Sequence, residues 1–389
     1  MTREVFAMSP LDLSAIPVVD NHCHGMYRDA DHLDIPAWRR LFTEAYGAAA
    51  QREHVATTLF YQRLLRALAA FWDCAPDEDA VLAARGRYTG DERIRALLHA
   101  ANIAALLVDQ GYPPRDQVLP DSDVAALAGC RTFPMLRLEP LMERLIAEHP
   151  TFADVEDALR AALADVRAQG YVALKSIAAY RTGLDIRVWD RADAEASFAE
   201  ARRIARETGA LRLAQKPLLD TLLHVAFAEA ARQELPMQFH TGYGDTDADM
   251  LLATPLHLRG VLEQRAYRGM RVVLLHECYP YTRQGGYLAA VYDHVYLDLS
   301  YAIPFLGYGE LVACTRAAFG VAPYSKLMYS SDAVGLPELL WISARDGRRA
   351  LGQVLGDIVE AGDLDVATAE IAGAAVLHDN AVRVYDLSS

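Results

Sequence analysis

Several things are missing from this 389-residue chain, and each absence narrows what it can be. No segment approaches the roughly 20 consecutive apolar residues that span a bilayer, so no membrane-crossing helix is expected. The start, Met1-Thr2-Arg3-Glu4-Val5-Phe6, has an acidic residue and no long apolar stretch. It does not read as a secretory signal, and a cytoplasmic location is the expectation. Basic residues form no stripe, and the formal charge of −14 disfavours phosphate-backbone partners, whose binding depends on clustered Lys and Arg. Neither a nucleic acid nor a membrane is therefore an expected partner. The five cysteines, Cys23, Cys74, Cys130, Cys278 and Cys314, are scattered with no C-x-x-C pair and no disulfide-framework spacing, so reduced thiols are expected. Internal repeats, low-complexity tracts and Pro-rich linkers are absent too, which argues against separable domains.

What is present is ample core material, with 52% hydrophobic and 23% charged residues. Short apolar runs alternate with helical patterns, the signature of parallel strands joined by helices. Eight candidate strands follow: 16–21, 103–109, 132–138, 172–176, 237–240, 272–276, 295–300 and 327–331. Eight such units make a (β/α)8 TIM-like barrel, an α/β fold that commonly reaches this size as one domain, here 1–389. Helices are expected at 193–207, 217–232 and 336–355, with Pro217 and Pro337 in first turns, where a missing N–H costs little. The long gap at 28–101 carries helical spacing in 38–48 and 55–72, which predicts a helical insertion after the first strand. Leaving from the C-terminal end of that strand, it would form a lid or pocket wall.

The chemistry-bearing residues sit at the ends of these runs. Val18-Val19-Asp20-Asn21-His22-Cys23-His24 ends in two histidines one residue apart, and a strand's period of two puts both on one face, within reach of a single ion. The same alternation turns Cys23 away and gives Asp20 their face, where it could accept a ring N–H. His240 follows Pro236-Met237-Gln238-Phe239 and precedes a Gly-bearing loop, which makes it a third ligand; His276, in the same context, could bind metal or polarise a substrate carbonyl. Asp332 ends the last run and could coordinate the ion and act as general base. Lys175, near the end of the fourth run, could form a salt bridge, bind a substrate carboxylate or, carbamylated, bridge two metals. Arg181 could clamp a carboxylate with its planar fork. Arg137 and Glu139 could form an internal ion pair. Tyr180, Tyr243, Tyr279 and Tyr281 would suit a partly apolar small-molecule ligand, or could pack the lid helices.

The set Asp20-Asn21-His22-Cys23-His24, His240, His276 and Asp332 resembles the amidohydrolase superfamily, in particular its amidohydrolase-2 branch. A closer likeness is to the amidohydrolase-like domain of nodulin and glutamine-synthetase-like fusion proteins. It rests on Leu174-Lys175-Ser176-Ile177-Ala178-Ala179-Tyr180-Arg181-Thr182-Gly183-Leu184, on Leu275-His276 with Tyr279-Pro280-Tyr281, on Tyr329-Ser330-Ser331-Asp332 with Leu336-Pro337-Glu338, and on the closing 380–385 segment. The resemblance implies a distorted barrel with one divalent ion, zinc first and manganese second, held by His22, His24, His240 and Asp332, with His276 acting on the substrate. It leaves open a second metal bridged by carbamylated Lys175. It further implies hydrolysis of an amide-type C–N bond of a small carboxylate-bearing compound, with decarboxylation of an aromatic acid as the alternative; a non-catalytic binding or scaffold protein built on the same barrel is a third reading, from another class. The sequence leaves a homo-oligomer open.

Overall fold

Eight short apolar runs become eight parallel strands, and all but the third, 131–137, are buried along nearly their whole length, as barrel strands wrapped by helices are. The computed structural model describes residues 10–387. Its strands are β1 (Val18–His24), β2 (Ile103–Asp109), β3 (Arg131–Arg137), β4 (Ala173–Ser176), β5 (Pro236–Phe239), β6 (Arg271–Leu274), β7 (Val295–Ser300) and β8 (Leu327–Ser330), in the spatial order of the sequence. Every pairing from β1 with β2 to β7 with β8 is parallel.

The seam between β1 and β8 closes through a mixture of backbone and side-chain bonds. His22 O accepts from Asp332 N (2.9 Å), His24 N donates to Ala333 O (2.9 Å), and the Asn21 amide donates to Tyr329 O (2.8 Å). This seam pulls the strand ends that carry His22, His24 and Asp332 together. β1 itself is irregular, with register shifts at Val18/Val19 and between Asp20 and Cys23. An extra residue in a strand bends it and upsets simple alternation. Asp20 accordingly faces the seam, where its Oδ1 accepts from Ser331 N (2.9 Å) and His22 N (3.2 Å) rather than from an imidazole, which corrects the role expected of it.

Inside the barrel, Val19, Ala105, Leu107, Met135, Ala173, Val273, Leu275 and Met328 form an apolar plug, packed on the terminal helix Asn380–Tyr385. A larger core lies between the strands and the outer helices. Pro217 and Pro337 do sit in the first turns of helices, Lys216–Arg232 and Pro337–Ala361. Among the described residues no helix is long and apolar enough to cross a membrane.

Four α-helices lie between β1 and β2, Ile35–Arg40, Leu59–Trp72, Glu78–Arg85 and Gly90–Ala100, with a short π-helix (Ala50–His54) and a 3-10 turn (Val55–Thr57) after the first. Buried ion pairs tie them to the long helix Pro337–Ala361, Arg85 Nε to Glu338 Oε1 at 2.7 Å and Arg63 Nε to Asp346 Oδ2 at 2.6 Å. The helix expected over 38–48 stops at Arg40. The Thr43 hydroxyl accepts the Ala45 N–H (3.1 Å), a local bond that competes with helix continuation, and the non-helical segment after it faces the barrel mouth.

Candidate metal centre

His22 and His24 end β1 and their rings meet edge-on, centroids 5.1 Å apart. The tautomer of each follows from what its Nδ1 meets. Gln238 uses its amide nitrogen on Asn21 O and Tyr385 OH (both 2.7 Å), so its Oε1, 2.8 Å from His22 Nδ1, must accept. His24 Nδ1 lies 3.0 Å from the Tyr112 carbonyl, which can only accept. Both Nδ1 atoms therefore carry the proton and both Nε2 atoms present lone pairs. Burial, and after it the charge of Lys175, pushes His22 down to about 3, so its ring is neutral at ordinary pH.

Those two Nε2 atoms each stand 3.3 Å from Asp332 Oδ1. Three acceptors, two imidazole lone pairs and a carboxylate oxygen, thus converge with no hydrogen to share, an arrangement that wants a cation. The His276 ring adds Nδ1 at 3.1 Å from Asp332 Oδ2, without hydrogen-bond alignment, and an Nε2 that has no partner. The donors match a divalent ion: ligand atoms of His22, His276 and Asp332 lie within 4.8 Å of one another, as do those of His22, His24 and Asp109. A cation already in contact is Lys175, 1% exposed, with Nζ 3.3 Å from His22 Nε2; burial lowers its ammonium to about 8.

His240 follows β5 and is 6% exposed, with its ring 4.3 Å from those of His276 and Tyr180 and its Nε2 unpartnered. It shares the cavity with the other ligands but lies outside both close groups. The turn carrying His276 is unusual: His276, Glu277 and Cys278 have φ of 63°, 54° and 53°, and Asp332 has 53°. Left-handed backbone costs a non-glycine residue roughly 1–2 kcal/mol, so packing and bonding nearby must hold these conformations. Asp298 on β7 helps by accepting the Glu277 N–H (3.1 Å).

Around these groups opens a cavity of about 510 Å³, with Tyr180 and Arg181 in its wall. Arg181 Nη2 is 3.6 Å from Glu143 Oε1, and its Nε has no partner. Tyr243 and Tyr279 pair with each other, centroids 6.2 Å apart, and are not among the lining residues; Tyr281 donates to Met250 O (2.9 Å). Arg137 pairs with Asp109 (Nη2 to Oδ2, 2.6 Å), not with Glu139, which accepts from the Ser176 hydroxyl (2.7 Å) and Ile177 N (2.9 Å). Burial would raise Asp109, but Arg137, His24 and Lys175 together hold it low.

Sequence reasoning passed over Asp109, Gln238, Asp298 and the cavity residues Glu44 and Tyr46. Asp109 carried the same signature as the histidines, an apolar run ending in a ligand. Gln238 was a polar residue inside a buried run, a signal that it has an internal partner.

A family model described as amidohydrolase matches residues 142–387, more than half of the chain. Protein fluG of Emericella nidulans is 31% identical over 405 aligned positions, covering 96% of this chain and 46% of that protein, so the chain spans about half the length of this curated relative. The solved structure of a candidate metal-dependent hydrolase from Lactobacillus casei superposes with a TM-score of 0.85 at 31% identity, over 97% of this chain and 98% of that one. A uronate isomerase from Thermotoga maritima shares the fold, with a TM-score of 0.66 at 13% identity over 96% and 95% of the two chains.

Proposed function

The chain belongs to the amidohydrolase family, and from that premise we propose that it hydrolyses an amide-type C–N bond of a small compound that bears a carboxylate. One observation carries the reading: the lone pairs of His22 and His24 and the Asp332 carboxylate converge, and only a cation satisfies all three. His22, His24 and Asp332 would hold the ion, zinc or manganese, with His240 as the further imidazole ligand. A divalent ion bound there acidifies water and polarises a carbonyl oxygen.

The chain's own residues do the rest. Asp332 accepts the proton of the attacking water and returns it to the leaving nitrogen, so the amine departs neutral. His276, against Asp332 Oδ2, faces the charge that develops on the substrate oxygen. Lys175 adds a positive charge beside His22; as an ammonium it offsets that developing charge, and as a carbamate it would bridge a second ion. Arg181 has a free Nε with which to take the substrate carboxylate, and Tyr180 offers the apolar face next to it. Residues 28–101 would act as the wall and lid: Leu41, Thr43, Glu44, Ala45 and Tyr46 line the cavity, and the Tyr46 hydroxyl donates to Asp245 Oδ2 at 2.5 Å.

The test is turnover of a panel of small carboxylate-bearing amides by metal-loaded protein in oxygen-18 water. Label entering the new carboxylate is the expected result. Carbon dioxide released from aromatic acids without label would replace this reading with the decarboxylase one. A folded protein that takes up neither zinc nor manganese would favour a scaffold.

A further inference from the structure

The cavity is electrostatically two-sided. Arg40, Arg137, Lys175 and Arg181 bring positive charge to it, whereas Glu44, from the segment that replaces the expected helix, and Asp245 and Asp247, from the stretch after β5, bring negative charge. Most of these groups are already engaged. Arg137 is paired with Asp109, Asp247 with Arg212 (3.2 Å), and Asp245 accepts from Tyr46 and from Asp247 N (2.8 Å).

Glu44 differs. Among the described residues nothing donates to it and no cation lies within 4.0 Å of it, Arg40 of the same cavity included. Burial, followed by the charges of Asp332 and Asp245, pushes its carboxyl up to about 7. A half-buried carboxylate that shares a cavity with two others, without a counter-charge in contact, is costly to keep ionised unless something positive arrives. The unpartnered Nε2 of His240 is left to the ion, but independent of Glu44 the buried Nε of Arg181 in the same cavity wall is also without a partner and marks a place where a substrate group completes the bonding.

We propose that Glu44, with Asp245 near it, receives a protonated amine of the substrate while Arg181 takes a carboxylate, so that the compounds cleaved are amides carrying both a free ammonium and a free carboxylate. Which bond is cut rests on the hydrolase reading above; the two-pole recognition does not. The arrangement accounts for a half-buried acid without a partner on the 41–51 segment, and it gives that segment a part in choosing the substrate.

Product-like acids in matched pairs differ only in the ammonium: aspartate against succinate, and glutamate against glutarate. Calorimetric titration of the metal-treated full chain should show the amino acid bound roughly tenfold or more tighter in at least one pair, the scale of a charge-assisted contact in a partly dry site. Glu44→Gln should bring that ratio to about one. Equal affinity within every wild-type pair overturns the proposal, as does failure to bind any of the four acids, or a Glu44→Gln protein that keeps the wild-type ratio. Because the wild-type ratio needs no variant, poor folding of Glu44→Gln leaves the proposal open to refutation. Metal content of the same samples separates the two readings. Discrimination in a chain that takes up no divalent ion removes the hydrolase and keeps the amine pole, whereas amide turnover without any preference removes the amine pole alone.

Discussion

The two ends of the same eight strands are opposites. Towards the terminal helix the barrel is filled by Val19, Ala105, Leu107, Met135, Ala173, Val273, Leu275 and Met328, apolar side chains that need nothing further. Towards the mouth, the buried groups are His22, His24, Lys175, His240, His276 and Asp332, several with donors or acceptors left over. Burial without bonding destabilises, so a fold tolerates the second arrangement only where something outside the chain completes it. Stability and chemistry have thus been divided along the strand direction. The ends are nonetheless linked: the Tyr385 hydroxyl on the closing helix donates to Asn21 Oδ1 and accepts from Gln238, and Gln238 sets the proton on His22.

If this division is real, substitutions at the two ends should fail differently. The largest effect is expected at the mouth. Asp332→Asn should keep the ion but lower amide turnover by about 10²–10⁴-fold, the range for loss of a general acid and base; metal analysis beside steady-state kinetics reads both, and full turnover would break the assignment. At the plug, Met328→Ala should reduce unfolding free energy by about 2–5 kcal/mol in denaturant titration while metal uptake survives. Loss of metal with unchanged stability there would erase the distinction between the ends.

The link between them should give intermediate behaviour. Gln238→Ala frees the His22 tautomer and should weaken metal affinity about 10–100-fold, measured by competition with a chelating dye. Tyr385→Phe removes one hydroxyl from the same chain of bonds and should cost only about 0.5–1.5 kcal/mol of stability. An effect of Tyr385→Phe on metal affinity as large as that of Gln238→Ala would mean that the closing helix, not the amide, fixes the imidazole.

The barrel was legible because each strand is a short apolar run between turn signals, and the ligands were legible because several runs end in a histidine or an aspartate. Position at a strand end is a local property, readable without tertiary contacts. Partners are not. Asp109 ended β2 in the same way as the histidines ended theirs, but its pairing with Arg137 depends on two strands lying side by side. Asp20 was assigned by alternation, which the irregularity in β1 upsets. The Thr43 bond that ends the helical pattern after Arg40 competes with a periodicity that otherwise continues, and the left-handed turn at His276 has no glycine to announce it.

The most direct test of the convergence is a crystal structure of the protein incubated with zinc or manganese, with data collected at the absorption edge of the added metal. The account predicts one anomalous peak at the barrel mouth, about 2.0–2.2 Å from His22 Nε2, His24 Nε2 and an Asp332 oxygen. Well-ordered density for those three side chains with no peak between them, or a peak elsewhere, would contradict it.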